Sequence, residues 1–218
     1  MFHPFPTDRE KAILRAQGLL SLNPLFLDTE TTGLSDMEEI CEIAIIDVVG
    51  QVLINTLVKP TKRIPHSSTE IHGISDETVA GAPTFRDLVP SLDQILRGRI
   101  VIAYNMEFDI GKLARSARAN GFNLDGDDGF YPWWMGNDSN SIAWDCAMEM
   151  YAMYYGDWND YHSSYRWQRL STALGQCGIE LPQGIHRAHA DAEMTRRLML
   201  HLAQQQLPAV PMEGDPNA

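Results

Sequence analysis

The stretch "PLFLDTETTGL", residues 24–34, begins like the inside of a protein and ends like something else. Leu25-Phe26-Leu27 is an apolar run suited to a buried strand, and it leads directly into Asp28 and Glu30. In a strand, residues two apart project from one face, so the two carboxylates stand side by side at the strand's end. Like charges that close and half-buried raise each other's pKa unless a cation lies between them. Carboxylate oxygens are hard ligands and select Mg²⁺ or Mn²⁺. A lone Asp-x-Glu is more often a solvated strand end, so the reading depends on the rest of the chain.

Around this strand the pattern is that of a mixed α/β domain. A helix is expected over "REKAILRAQGLL" (9–20), and strands over "EICEIAIIDVV" (39–49) and "QVLINTLVK" (51–59), with Gly50 as the hairpin turn. Residues 60–85, rich in Ser, Thr, Pro and Gly, read as a long loop. A helix over 86–97 follows, with Thr84 placed to cap it. "RIVIAYN" (99–105) has the apolar character of a covered central strand. An amphipathic helix over 108–121 ends at Asn120-Gly121. Residues 122–141 break the rhythm with Gly, Asp and aromatics and read as a loop insertion. "IAWDCAMEMYAMYY" (142–155) starts a strand or a helix, and helices are expected over 165–178 and from His189 to about Gln206. The order βββαβα followed by helices predicts an antiparallel part first and parallel strands later. The expected organisation is a helical extension at 1–22, one domain at 23–206 and a disordered tail at 207–218.

Twenty-nine acidic residues against 17 basic ones give a net charge of −12, which argues against gripping a long duplex through its phosphates. An enzyme that touches only a strand end is not excluded, since cations can bridge acids to phosphate. No apolar run reaches the ~18–20 residues of a membrane span. The opening "MFHPFPTDREKAILRAQ" shows no basic stretch followed by an apolar one. Cys41, Cys146 and Cys177 are widely spaced, as free thiols in a reducing cytosol would be. The expectation is a cytoplasmic protein, bacterial or phage-encoded, with no membrane association.

Two further stretches change the weight of Asp28 and Glu30. "AYNMEFDIGKL" places Asn105 at the end of an apolar strand and Asp109 near the start of a helix; "GIHRAHADAEM" places His186 five residues before Asp191. Each alone is ordinary, because first-turn helix acids are favoured by the helix dipole. Taken in order, "FLDTETTGL", "AYNMEFD" and His186-x-x-x-x-Asp191 resemble the three motifs of the DEDDh, or DnaQ-like, 3′–5′ exonucleases. That ribonuclease H-like group includes the proofreading subunit of bacterial replicative polymerase. The sister DEDDy branch carries Tyr four residues before the last Asp, where this chain has Arg187. "IHGISDETVAGAPTF" (71–85) resembles the family's loop after the third strand, and the likeness spans roughly residues 23–203.

The resemblance implies a mixed five-stranded sheet in the order 3-2-1-4-5, with strand 2 antiparallel, flanked by helices. It implies that Asp28, Glu30 and Asp191 hold one Mg²⁺, with Asp28 shared with a second ion supported by Asp109; Mn²⁺ can substitute. It makes His186 the base for the attacking water, for which an imidazole of ordinary pKa, ~6.5, is suited. Thr29, His72, Asn105 and Phe108 are the positions at which the family contacts substrate. For Phe108 a core role is equally open, and Asn105 either meets substrate or only fixes the strand end. Tyr104 stands where many relatives have His. His189 is a competing base, disfavoured by its spacing from Asp191. Asp145 reads as structural, and the aromatics of "FYPWWMG" (130–136) as a base-stacking or docking surface or a small core beneath a loop.

The expected activity is removal of nucleoside 5′-monophosphates from the 3′ ends of DNA, single-stranded or frayed. The alternative is an RNA-directed exonuclease like ribonuclease T or oligoribonuclease, since DNA and RNA are told apart by contacts to the 2′-OH. A polymerase or repair partner and a homodimer are further expectations carried by the resemblance.

Overall fold

The computed structural model of the chain describes residues 7–124, 142–182 and 186–207. The aromatic stretch 130–136 and the tail beyond 207 lie outside them. In chain order the elements are α1 (Asp8–Ser21), β1 (Leu25–Thr31), β2 (Ile40–Asp47), β3 (Val52–Leu57), α2 (His66–His72), α3 (Asp76–Val79) and α4 (Phe85–Leu96). Then come β4 (Ile100–Ala103), α5 (Met106–Ala119), β5 (Ala143–Cys146), α6 (Ala147–Tyr155), β6 (Trp158–Asn159), β7 (Ser164–Tyr165), α7 (Leu170–Gln176) and α8 (Ala188–Ala203).

Local chemistry explains several boundaries. Thr7 and Glu10 form a reciprocal capping box at the start of α1, as Thr84 and Asp87 do for α4. The β2–β3 turn closes at Gly50, whose φ of 90° is the left-handed conformation that a side chain would strain. α6 stops at Gly156, which is left-handed for the same reason and returns its N–H to the Ala152 carbonyl.

The sheet has the order β3-β2-β1-β4-β5. β2 runs antiparallel to β1 and β3, while β1, β4 and β5 are parallel. This is the topology the family resemblance implied. Leu25, Leu27, Ile43, Ile45 and Val101 face one side and pack on Phe85, Leu92 and Leu96 of α4 and Leu113 and Ala117 of α5. Phe26, Ile46 and Ile102 face the other side, against Ala12 and Ala16 of α1, Tyr151 of α6, Leu174 of α7 and Leu198 and Leu202 of α8. α1 is therefore part of the core layer. Arg15 of α1 also donates twice to Asp145 Oδ2 on β5, at 3.1 and 2.9 Å, which gives Asp145 the structural part expected of it.

Two sequence expectations differ from the structure. The segment 60–85 is not a continuous loop, since α2 and α3 lie within it; both are too short to show helical periodicity. The helix expected from 165 starts at Leu170, because Ser164 and Tyr165 pair with Asn159 and Trp158 in a small hairpin. Residues 142–155, expected to begin as a strand or a helix, begin as β5 and continue as α6. Among the described residues no helix is long and apolar enough to cross a membrane.

Phe26 tests the layer that carries the site. It is fully buried, and its truncation to Ala should cost about 3–5 kcal/mol. At ~2–4 °C per kcal/mol for a chain of this size, the melting temperature should drop by about 6–20 °C. A drop of under 2 °C would mean that this face of β1 is not the packed core described.

Candidate active site

Phe26, Asp28 and Glu30 alternate onto one face of β1, so a strand face that begins in the core ends in two acids. Asp191, in the first turn of α8, meets them there. One carboxylate oxygen each from Asp28, Glu30 and Asp191 lies within 4.8 Å of the others. The site opens beyond the carboxyl ends of the parallel strands β1 and β4, where open α/β sheets hold ligands.

Asp109 arrives from the opposite side of the sheet. It is buried on α5, and its Oδ1 accepts a 2.7 Å hydrogen bond from the Thr29 hydroxyl. Thr29 points away from Asp28 and Glu30, as its odd position in the strand requires. The fourth acid thus stands behind the cluster of three and acts on it by charge.

Every one of these carboxylates is pushed toward its neutral form. Burial is the largest cause at Asp28, followed by the charges of Asp109, Asp191 and Glu30, and its pKa lies well above the usual carboxylate range. Glu30 is pushed up to about 8, by burial first and then by Asp191 and Glu42, against a smaller opposing effect of Arg187. Burial raises Asp109 to about 7 although the Thr29 hydroxyl favours its anion. Burial also raises Asp191, opposed by a hydrogen bond from the His186 backbone N–H.

A fifth acid, Glu42, orients the segment that carries His186 and Asp191. It lies directly opposite Glu30 on β2 and is 3% exposed. Arg187 Nε donates to its two oxygens at 3.1 and 3.0 Å, and Nη2 also contacts Oε1. The first amide of α8, Ala188 N–H, donates to Glu42 Oε2 at 2.9 Å. Glu42 therefore meets both a guanidinium and the positive end of a helix. His186, immediately before this clamp, has a φ of 65°, and its N–H reaches Asp191 Oδ1 at 3.3 Å. Its imidazole is exposed at the site's mouth.

The loop after β1 is fastened by polar contacts. His72 is buried; its Nδ1 accepts the Ile74 N–H at 3.0 Å, which leaves Nε2–H to donate to the Thr31 carbonyl at 3.2 Å. Ser68 Oγ donates to the Thr32 carbonyl, and Glu38 bridges Thr32 Oγ1 and Lys62 Nζ. Lys112, buried on α5, donates to the Leu34 and Ser35 carbonyls.

Two hollows flank the acids. A cleft of about 680 Å³ contains His186, Asp191, Asn105, Leu34, Trp167 and Arg169 in its walls. A smaller one of about 390 Å³ lies against α5 and is lined in part by Phe108, whose ring sits 4.7 Å from Lys112 Nζ. Of the positions expected to meet substrate, Asn105 is exposed on the large cleft and Phe108 half-buried on the other. Thr29 and His72 are buried beneath the strand end. Sequence reasoning noted Arg169 only as one of several C-terminal arginines that could face phosphate and did not mark Glu42, Lys112 or Trp167; the one available signal was a carboxylate at Glu42 inside a largely apolar strand.

With this geometry in hand, comparison with known proteins is decisive. The family described as exonuclease (RNase_T) matches residues 25–199. The chain belongs to this exonuclease family. It is 37% identical over 190 residues to the uncharacterized exonuclease CP81 of Escherichia phage 186, covering 87% of this chain and 93% of that one. E. coli Exonuclease I, solved with a dA16 oligonucleotide, superposes with a TM-score of 0.62 at 18% identity, over 84% of this chain and 41% of its own. The nuclease domain of 3′hExo, a DEDDh member solved with rAMP, gives 0.61 at 13% identity, over 84% of this chain and 92% of its own. The exonuclease is thus a DnaQ-like 3′–5′ phosphodiester hydrolase on a ribonuclease H-like fold.

The residues present suit a divalent cation. Three half-buried carboxylates converge, no ion pair among the described residues involves them, and oxygen-only donor sets favour hard ions. In the unfolded chain these groups ionise at their ordinary values of 3.8 and 4.5; Asp109 and Glu30 do so at about 7 and about 8 when folded. Between those limits the folded exonuclease binds more protons than the unfolded chain, so metal-free stability falls as pH rises. Melting in EDTA should therefore drop between pH 5 and pH 8. Mg²⁺ at ~100 times its Kd should add about 2.7 kcal/mol, about 5–10 °C, with a larger gain at pH 8 than at pH 5. Asp28→Asn should melt higher than wild type in EDTA at pH 8 and respond less to Mg²⁺. Melting indifferent to both pH and metal would refute the clustered-acid site.

Proposed function

We propose that the exonuclease removes nucleoside 5′-monophosphates from the 3′ ends of single-stranded or frayed DNA, using Mg²⁺ and His186 as general base. The observation that carries this reading is the convergence of Asp28, Glu30 and Asp191 at a cleft whose wall also presents the exposed His186 imidazole. Asp28, Glu30 and Asp191 would hold one ion, and Asp28 would share a second, which Asp109 would support from behind. When bound, two such ions stabilise the charge that develops on the attacking and leaving oxygens of a phosphodiester.

The protein's own groups then have distinct tasks. Leu34 and Asn105 bound the cleft on either side of the acids and position the terminal nucleotide. A free imidazole nitrogen of His186 takes the proton of the attacking water, and the Glu42–Arg187 clamp keeps the imidazole over the site. The Thr29 hydroxyl holds Asp109 in one orientation behind Asp28. DNA is taken as the strand on the likeness to Exonuclease I, solved with a DNA oligonucleotide, and the rAMP bound by 3′hExo keeps RNA as the second reading.

The test is a digestion time course with Mg²⁺ on matched 5′-labelled single-stranded DNA and RNA. DNA should shorten stepwise from its 3′ end. His186→Ala should lower the rate by ~10²–10⁴-fold, the usual contribution of a general base. Asp28→Ala should lower it by at least ~10³-fold, several kcal/mol of charge stabilisation. Faster loss of RNA would move the assignment to RNA processing, and a fully active His186→Ala would remove the histidine from the mechanism.

A further inference from the structure

The segment joining α6 to α7 carries chemistry that neither the metal site nor the fold uses. Tyr155, Trp158, Tyr161 and Trp167 are 44%, 47%, 90% and 65% exposed, all within residues 155–167. Four large aromatics left in water on one short stretch are not scattered surface residues. Nor is the stretch loose. Trp158 and Tyr165 cross the β6–β7 hairpin edge to face with ring centres 5.0 Å apart. Arg166 N–H donates to the Asp157 carbonyl at 2.8 Å, and the Tyr165 hydroxyl donates to Asp8 at 2.8 Å.

The decisive contact is the Tyr104 hydroxyl, which donates to the Gln168 carbonyl at 2.6 Å. Tyr104 directly follows β4 and precedes Asn105 and Asp109, so residues 167–169 are tied to the same sheet end as the acids. Trp167 and Arg169 flank the tied residue and both line the 680 Å³ cleft that holds His186 and Asp191. Trp167 also lines a second hollow, of about 370 Å³, with Trp158 and Tyr165. It is a ridge between the reaction cleft and an aromatic hollow. Arg169 is exposed and forms no ion pair among the described residues, in a chain whose net charge is −12.

We propose that Trp167 and Arg169 form an upstream subsite for unpaired nucleic acid. The base of a nucleotide on the 5′ side of the one removed stacks on the Trp167 indole, and a neighbouring phosphate meets the Arg169 guanidinium. The inference rests on the exonuclease reading of the adjacent acids. Two features select a nucleic acid strand over other occupants: continuity with the cleft that takes its 3′ end, and an aromatic face beside a free cation. Stacking on a side chain requires a base released from its pair, so this subsite favours single strands over duplex ends. It also gives an acidic protein a hold on its substrate that does not depend on a broad basic surface.

The experiment compares oligothymidylates of two and eight nucleotides with wild type, Trp167→Ala, Trp167→Phe and Arg169→Ala. The octamer's advantage in kcat/KM over the dinucleotide should fall about tenfold in Trp167→Ala, within the ~5- to 150-fold that one stacked base contributes. Trp167→Phe should keep most of that advantage, which a merely structural role would not require. Arg169→Ala should lower octamer affinity and reduce the salt slope by about one. Fluorescence anisotropy of labelled octamer on Asp28→Asn chains, with and without the Trp167 substitution, separates this inference from the reading beneath it. Trp167-dependent binding without any cleavage by wild type would leave the subsite standing and sink the exonuclease assignment. Cleavage with an octamer advantage untouched by Trp167→Ala, a Phe variant as impaired as Ala, or no octamer binding at all would overturn the subsite.

Discussion

Mutual repulsion among buried carboxylates is the constraint around which this molecule is arranged. At separations near 5 Å and an effective dielectric of ~20, each like-charged pair costs about 3 kcal/mol. Asp28, Glu30 and Asp191 form three such pairs, with Asp109 and Glu42 close behind. Only an unyielding mount keeps such groups converged. β1 provides it, packed on both faces and bonded to neighbours on both edges. Two of the acids are its own residues, and the other two are brought by α5 and α8, one on each side of the sheet.

Rigidity of the strand alone would not suffice, because β1 ends at Thr31, one residue past Glu30. The register slips between Glu30 and Thr31, and the loop beyond is held by bonds to its backbone carbonyls. His72 takes Thr31, Ser68 takes Thr32, and Lys112 takes Leu34 and Ser35. Ser68 and His72 come from α2 and Lys112 from α5, so two separate helices hold the loop. Backbone carbonyls so committed cannot drift toward a cation, which leaves side-chain carboxylates as its natural donors. His72 thus serves the site from below, as a buried imidazole whose two nitrogens are both engaged.

The sheet order followed only from the family resemblance, whereas the four acids of the motifs were legible in the sequence because each motif is short and its spacing is interpretable locally. Two residues along a strand share a face, and a first-turn helix acid points back toward the helix start. Glu42 was not legible, since its role requires the antiparallel register that sets it opposite Glu30 and a helix that arrives 146 positions later. Tyr104 read as a mild departure from its relatives; the reason for it lies in a bond to Gln168, a residue distant in sequence. The β6–β7 hairpin escaped notice because strands of two residues show no alternation. α2 and α3 likewise complete too few turns to show a period.

The Glu42–Arg187 clamp carries an evolutionary consequence. Position 187 is where the sister branch of the family places its tyrosine, so the two branches look one substitution apart. In this chain they are not. Exchanging Arg187 alone would strip the guanidinium from a carboxylate that is 3% exposed and leave it only the Ala188 N–H, a destabilising loss, before any phenol could take up a useful position. Residues 42 and 187 are therefore epistatic. A lineage changing residue 187 would have to change residue 42 as well, or pass through a weakened intermediate.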